Sequence, residues 1–304
     1  MTPVTMLSTK VRNADRSIGA ILVDAGRVSP QDVERIINFQ KQSSLRFGEA
    51  GIELGLINES DVLYALSLQF DYPYLQAGPN RPVSDEVVAA YRPFSAEGED
   101  LRALRSQLQL RWIAESGKRS SLAIVGTSHG EGRSYLAANL AVTFAQLGER
   151  TLLIDGNLRA PRQHKLFKIE NQSGLSNLLA GRMQEQVVTF VYGIPGLAVL
   201  PSGPTPPNPA ELISRPALAR ILQQSMSTFD VILVDTPAIE SGTDAMMLAR
   251  ASGASMFVAR ANMTRMARFS EAVDAMNGAG IDVVGSVLVD VPARKNASLL
   301  NKDV

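Results

Sequence analysis

The sequence predicts an α/β protein, in which a mostly parallel sheet flanked by helices carries a phosphate-binding loop and follows a small domain of repeated helices. Three observations lead there. Residues 121–126, SLAIVG, run as an apolar strand into the loop TSHGEGRS and then into the helical stretch YLAANLAVTFAQLG. Two more apolar runs, TLLID at 151–155 and DVILVD at 230–235, each end on an aspartate, as strands do when they deliver carboxylates to the carboxyl edge of a parallel sheet. Finally, residues 17–40 align without gaps onto 46–69, with Gly19/Gly48, Gly26/Gly55, Asp32/Asp61, Val33/Val62 and Gln40/Gln69 coinciding.

Composition bounds the chemistry. The 304 residues suggest about two domains, and 45% hydrophobic with 20% charged residues is an ordinary globular balance. Thirty basic residues offset 30 acidic ones, so no global field is available to hold nucleic acid, and no nucleic-acid partner is expected. Cysteine is absent and only His129 and His164 represent histidine. Thiolate metals, disulfides and a Ser-His-Asp triad are thereby disfavoured, leaving oxygens, amides and Lys/Arg to do the work. No apolar run approaches the roughly 18 residues of a membrane span, and the start, MTPVTMLSTKVRNADRS, lacks a signal-peptide core. A cytoplasmic location is expected.

Each front repeat reads as a short helix, a glycine turn and a capped helix. Ser29 caps the first long helix, with Pro30 at N1 and Asp32 at N3; Asn58 caps the second, with Asp61 at N3. Val33, Ile36 and Ile37, then Val62, Ala65 and Leu66, follow at helical spacing. The paired motif resembles the MshEN domain found at the front of type II secretion and pilus assembly ATPases, with Lys41 to Leu45 as spacer. That resemblance implies cyclic di-GMP binding: Ile18, Gly19, Leu22, Gly26 and Gln40 fit the first motif, and Arg46, Gly48, Gly55 and Gln69 fit the second. Ser17 stands where the first motif has Arg. The alternative is a protein-docking helical domain that binds no nucleotide. The domain is placed at residues 1–75, followed by a Pro-, Gly- and Ser-rich linker at 76–98 with one short helix opening at Ser84, and then by the α/β domain at 99–304.

In the α/β domain, Gly130, Gly132 and a helix opening at Ser134 supply what a phosphate loop needs, inward-turning N–H groups and a helix N-terminus. The Lys of the usual Gly-Lys-Ser/Thr ending is Arg133, a planar fork in place of a compact ammonium. Further elements are expected as strand 197–200, helix 209–226 starting at Asn208-Pro209, helix 244–250, strand 255–259, helix 268–278 and strand 283–289.

From Glu99 to about Asp290 the chain resembles the bacterial tyrosine kinases (BY-kinases), P-loop proteins with a MinD-like fold. SHGEGRSYLAANLA resembles their Walker A, LLIDGNLRAPRQHKLF their Walker A′ and FDVILVDTPAI their Walker B, with GLSNLLAG and PSGPTPPNPAELI as connecting loops. With the MshEN-like front, the resemblance narrows to the EpsG/CapB/CpsD chain-length-determinant type. It implies transfer of the ATP terminal phosphoryl to tyrosine, with Mg2+, alongside an inner-membrane polysaccharide chain-length-determinant protein whose cytoplasmic tail activates the kinase and holds it at the inner face of the plasma membrane. The implied phosphate site is Ser128, His129, Gly130, Glu131, Gly132, Arg133, Ser134 and Tyr135; Ser134, Asp155 and Asp235 are implied at the metal, and Asp155 at the attacking hydroxyl. Glu99, Arg102 and Arg105 fit the family's E-x-x-R-x-x-R motif for homo-oligomeric rings.

Two departures stand out. Asn157 replaces the second Walker A′ carboxylate and cannot act as a base, so Arg133 and Asn157 together predict reduced activity. The family's C-terminal tyrosine cluster has no counterpart in VPARKNASLLNKDV, so the expected acceptor is another protein or one of Tyr64, Tyr72, Tyr74, Tyr91, Tyr135 and Tyr192. Two other classes compete: a weakly catalytic nucleotide-binding scaffold that senses cyclic di-GMP, and a MinD/ParA-like ATPase. The basic run Arg159, Arg162, Lys165 and Lys168 reads as a solvated face or as a screen for the nucleotide.

Overall fold

A computed structural model gives the architecture and describes residues 16–70, 72–76, 78, 80–114, 120–182 and 187–289. The chain divides into two compact units, Met1–Pro79 and Asn80–Val304.

The first unit contains α1 (Ile18–Asp24), α2 (Pro30–Ser43), α3 (Phe47–Glu53) and α4 (Glu59–Gln69). Its repeat is visible in the capping. Ser17 caps α1 by accepting the Ala20 N–H, and Arg46 takes the equivalent place before α3, where Glu49 accepts the Arg46 N–H at 2.8 Å. Both short helices turn on a left-handed glycine, Gly26 and Gly55, each at φ +67°. Ser29 and Asn58 accept the N–H groups of Asp32 and Asp61, each at 3.1 Å, as the spacing predicts. A Cβ on Gly19 would stand 2.9 Å from Val33 Cγ1, and one on Gly48 2.9 Å from Val62 Cγ1, so both glycines serve close helix crossing. All four helices contribute to one small core, with Ile21, Leu22, Ile36, Ala50 and Ala65 buried; Ile37 lies on the exposed side.

The second unit opens with α5 (Val88–Tyr91) and α6 (Ala96–Leu108), the latter running on into a π-helical turn, Gln109–Ile113, that buries Trp112. Then follow β1 (Ser120–Val125), α7 (Arg133–Gln146), β2 (Thr151–Asp155), α8 (Gln163–Leu166), α9 (Leu175–Leu179), β3 (Thr189–Phe190) and β4 (Leu197–Leu200). The chain continues through α10 (Pro209–Ile213), α11 (Ala217–Thr228), β5 (Val231–Asp235), α12 (Asp244–Ser252), β6 (Gly253–Arg260), α13 (Met266–Gly278) and β7 (Asp282–Val289). The sheet order is β3-β4-β2-β5-β1-β6-β7, parallel throughout except for the antiparallel β3–β4 pair. Helices on both faces bury the central strands, which explains why β2 and β5 read as unbroken apolar runs.

Three features depart from the expectations. The helix expected over 209–226 is two helices, because Pro216 has no N–H to continue the first ladder and instead precedes α11. Residues from Asn80 onward, read from composition as part of a linker, belong to the α/β unit: Val83, Val87, Val88, Ala89 and Ala90 are buried, and Asn139 of α7 accepts the Ala89 N–H at 2.9 Å. The two-residue strand β3 is too short to leave a periodic signal.

Candidate functional site

The loop between β1 and α7 lies at the carboxyl edge of the sheet, beside the ends of β2 and β5. Gly130 and Gly132 sit at φ +80° and +94°, conformations that L side chains rarely adopt, and they turn successive amides one way. The backbone N–H groups of Gly130 to Tyr135 make no hydrogen bond among the described residues, and α7 begins directly behind them. Such amides at the start of a long helix are an anion site.

Of the side chains expected at phosphate, several are spent within the protein. Arg133 is only 6% exposed, and its Nη1 donates to Ser128 O at 2.6 Å and to Glu131 Oε2 at 3.3 Å, while Nε donates to Thr236 O at 3.3 Å. Burial lowers the Arg133 pKa, against the stabilising charges of Asp235 and Glu131. Instead of reaching outward, the guanidinium braces the loop from inside, because its fork finds two carbonyls and a carboxylate there. Glu131, fully buried, accepts from Thr127 Oγ1, the Ser128 N–H and Thr264 Oγ1. On the rim, Glu240 accepts the His129 N–H at 2.9 Å and the Ser128 hydroxyl at 3.0 Å, and pairs with Arg268. The Ser128 and His129 amides are therefore engaged by carboxylates of the chain itself. Tyr135 gives its phenol to Glu97, so only its backbone faces the loop.

Asp155 and Asp235 are register partners across β2 and β5, and both are buried. Burial, followed by the charge of Asp235, raises the Asp155 pKa, against the lowering effect of three N–H donors, from Gln163, Arg162 and Asn157. Burial likewise raises Asp235, although Gln163, Ser134 and Arg133 favour its charge. Gln163 was not singled out in the sequence, yet it ties the pair together. Its backbone N–H donates to Asp155 Oδ2 at 2.9 Å, and its side-chain amide donates to Asp235 Oδ2 at 2.7 Å and to Ser134 O at 3.1 Å. Asn157, in place of a second carboxylate, accepts the Ala160 N–H at 3.0 Å and shapes the Walker A′ turn.

The remaining expected residues fall as follows. Arg102 pairs with Glu99 and donates to Pro93 O, and Arg105 donates to Thr143 O at 2.9 Å, so the two arginines of the E-x-x-R-x-x-R motif clamp α6 to its own unit while Glu99 stays exposed. Within the basic run, Arg159 holds Asp244, Arg162 holds Glu86 and Lys168 donates to Arg81 O. The two connecting loops meet: Leu175 and Ser176 donate to Pro201 and Ser202 carbonyls, and Ser176 lines a cleft of about 340 Å³ with Pro204, Asn208 and Arg215. In the first unit, Leu22, Gly19 and Gly48 are buried by packing, Ile18 and Gln40 are half-buried and Gln69 donates to Arg16 O; Arg46, Gly26 and Gly55 are exposed.

The donor set fits Mg2+ held with nucleotide phosphates. Asp235 Oδ1 and Gln163 Oε1 are buried oxygens with no hydrogen-bond partner among the described residues. Magnesium keeps much of its water and takes one or two carboxylates plus phosphates, so a cage of several protein ligands is not required. Among the described residues no group of three or more His, Cys, Asp or Glu could hold a metal.

A parallel sheet with a glycine loop, a following helix and paired carboxylates at the adjacent strand ends defines the nucleotide-binding class of α/β proteins. The family described as the CobQ/CobB/MinD/ParA nucleotide binding domain matches residues 122–304. A Staphylococcus aureus protein named "Putative tyrosine-protein kinase CapB" is 37% identical over 68% of this chain and 90% of its own length. The tyrosine-protein kinase ptk of Acinetobacter johnsonii is 32% identical over 73% of this chain, which spans only 32% of that longer protein. The solved kinase domain of the Escherichia coli tyrosine kinase ETK superposes with a TM-score of 0.67 at 28% identity, covering 77% of this chain and 90% of that one. The chain belongs to this family of bacterial tyrosine kinases, within the MinD-like nucleotide-binding fold.

Proposed function

We propose that this chain transfers the terminal phosphoryl group of ATP to protein tyrosines and thereby regulates exopolysaccharide synthesis and chain length. The observation that carries the reading is the Asp155–Asp235 pair, brought to neighbouring strand ends beside the unpaired amides of Gly130 to Tyr135. Phosphoryl transfer asks for positioning and charge neutralisation more than for covalent chemistry. The loop amides and the α7 N-terminus bind phosphate oxygens, and Arg133 holds the loop in the shape that presents them. Ser134 and Asp235 are the residues to hold Mg2+, which when bound neutralises phosphate charge. Asp155, in its ionised form, orients the acceptor phenol and takes its proton, and the burial that raises its pKa makes that carboxylate a stronger base than an exposed one.

A membrane chain-length-determinant protein is the proposed activator, with its cytoplasmic tail holding this chain peripherally at the inner face of the plasma membrane; no helix among the described residues is long and apolar enough to cross a bilayer. A second copy meets the exposed Glu99 face of α6. The front unit is proposed as an MshEN-like sensor of cyclic di-GMP, reading the ligand with the exposed Arg46. A scaffold with weak transfer is the second reading, favoured by Arg133 being spent inside the loop.

Labelled ATP, Mg2+, a tyrosine-containing substrate and the partner's tail test the first reading. Transfer to tyrosine that is lost in Asp155→Ala is the expected result; robust transfer in that variant refutes the assigned mechanism. Calorimetry with cyclic di-GMP, with Arg46→Ala as control, tests the sensor: no heat at high ligand leaves only a docking role.

A further inference from the structure

The chain's six tyrosines differ sharply in how available they are. Tyr91 is buried and donates to Val83 O at 2.8 Å, and Tyr135 donates to Glu97. Tyr64 lies under the Arg27 guanidinium, 4.1 Å from the ring centroid. Tyr72 and Tyr74 are half-buried, and burial raises the Tyr74 pKa. Tyr192 is 84% exposed, and its phenol makes no hydrogen bond among the described residues.

Its backbone is built to present it. On either side, Val191 and Ile194 are buried, and the chain is pinned by Val191 N–H to Leu197 O at 3.0 Å, Ile194 N–H to Val191 O at 3.2 Å and Leu197 N–H to Ile194 O at 3.2 Å. Gly193 at φ +78° reverses the chain immediately after the tyrosine. The side chain therefore stands at the tip of an anchored turn, where a phenol can enter another molecule's cleft without local unfolding.

The turn also lies at the wrong end of the sheet for its own site. It leads into the amino end of β4, where Leu197 pairs with Thr151, whereas Asp155 is at the opposite end of β2. Four residue steps at about 3.3 Å each put roughly 13 Å of strand between those two levels. A chain's Tyr192 cannot meet that chain's Asp155.

We propose that Tyr192 is an intermolecular phosphorylation site, modified by a second copy of this chain. The inference rests on the kinase reading and names one substrate of that site. In the step, the bond between Tyr192 Oη and the terminal phosphorus of ATP forms as the bond to the β,γ-bridging oxygen breaks. ADP leaves with that electron pair, and the phenol proton passes to Asp155 of the acting copy. A neutral exposed ring becomes a phosphate ester of about −1.5 to −2 charge.

The test uses the full chain with Mg2+ and ATP, with a glutamate–tyrosine copolymer assayed in parallel and peptides covering residues 183–215 analysed by mass spectrometry. Phosphate on Tyr192 is expected. Tyr192→Phe should abolish that phosphopeptide and leave copolymer phosphorylation unchanged. In a mixture of Asp155→Ala and Tyr192→Phe chains, label should appear on Tyr192 of the Asp155→Ala chain. Copolymer labelling with Tyr192 unmodified, or a mixture in which Tyr192 of the Asp155→Ala chain stays unlabelled, overturns the proposal and spares the kinase reading. If neither the copolymer nor the chain is labelled, the kinase reading falls and the site falls with it.

Discussion

Gln163 donates its side-chain amide to Asp235 Oδ2 at 2.7 Å while its backbone N–H holds Asp155 Oδ2 at 2.9 Å, so one residue bridges the carboxylates that end two neighbouring strands. Replacing it with Leu keeps the backbone bond and removes the amide. Gln163→Leu leaves a buried carboxylate oxygen without its donor, and a loss of roughly 1–3 kcal/mol in urea unfolding is expected. A higher Mg2+ requirement for nucleotide binding should accompany it, read by titrating Mg2+ at fixed ATP. Unchanged stability and unchanged Mg2+ dependence would show that the bridge is incidental.

The two aspartates make the metal-free protein sensitive to pH. Burial and, at Asp155, the neighbouring charge raise both pKa values above the ordinary carboxylate range, Asp155 to about 8. Ionising a group whose folded pKa is raised costs stability, so this contribution is intact below about pH 4 and is lost as pH rises through the folded value. Calorimetric melting in chelator should show Tm falling between pH 5 and 8 more steeply in the parent than in Asp235→Asn. Equal slopes would remove the pair as the cause.

Asn157 keeps the Walker A′ turn by accepting the Ala160 N–H, a bond that an aspartate oxygen also makes. Asn157→Asp therefore preserves the turn and adds the missing carboxylate near Asp155. Phosphotransfer should rise several-fold, checked by initial rates at saturating ATP beside a melting curve. A stable variant with an unaltered rate means that the second carboxylate is not what limits transfer.

Glu240 occupies the outer loop amide that a terminal phosphate oxygen would approach. Neutralising it as Glu240→Gln removes like-charge repulsion of about 1 kcal/mol, or about fivefold in ATP affinity. The gain should shrink with added salt, as interactions between exposed charges do. Identical ATP titrations for parent and variant, at low and high salt, would argue against any such competition.

Much of the fold was legible because its signals are local. Ser29, Asn58, Gly26 and Gly55 announce their caps and turns within a few residues, and the apolar runs ending in Asp155 and Asp235 announce buried parallel strands. Pro216 breaks a helix that the apolar pattern alone joins, and the buried run Val87 to Ala90 is masked by the prolines and glycines around it. Glu131 shows another kind of limit. The motif resemblance places it at the phosphates, but Thr127, Thr264 and Arg133 surround it with donors that come from 4, 133 and 2 positions away.

The amino-acid sequence alone determined the class of sheet, the glycine loop, the two aspartates and the repeated helices, since periodicity, glycine and capping residues act over one or two turns of chain. Only the tertiary structure decided that Arg133 faces inward, that Glu240 sits on the loop rim, that Gln163 joins the carboxylates and that Tyr192 stands free. Those outcomes depend on which donors and acceptors long-range folding brings within about 3 Å, and a buried polar group takes whichever partner is there.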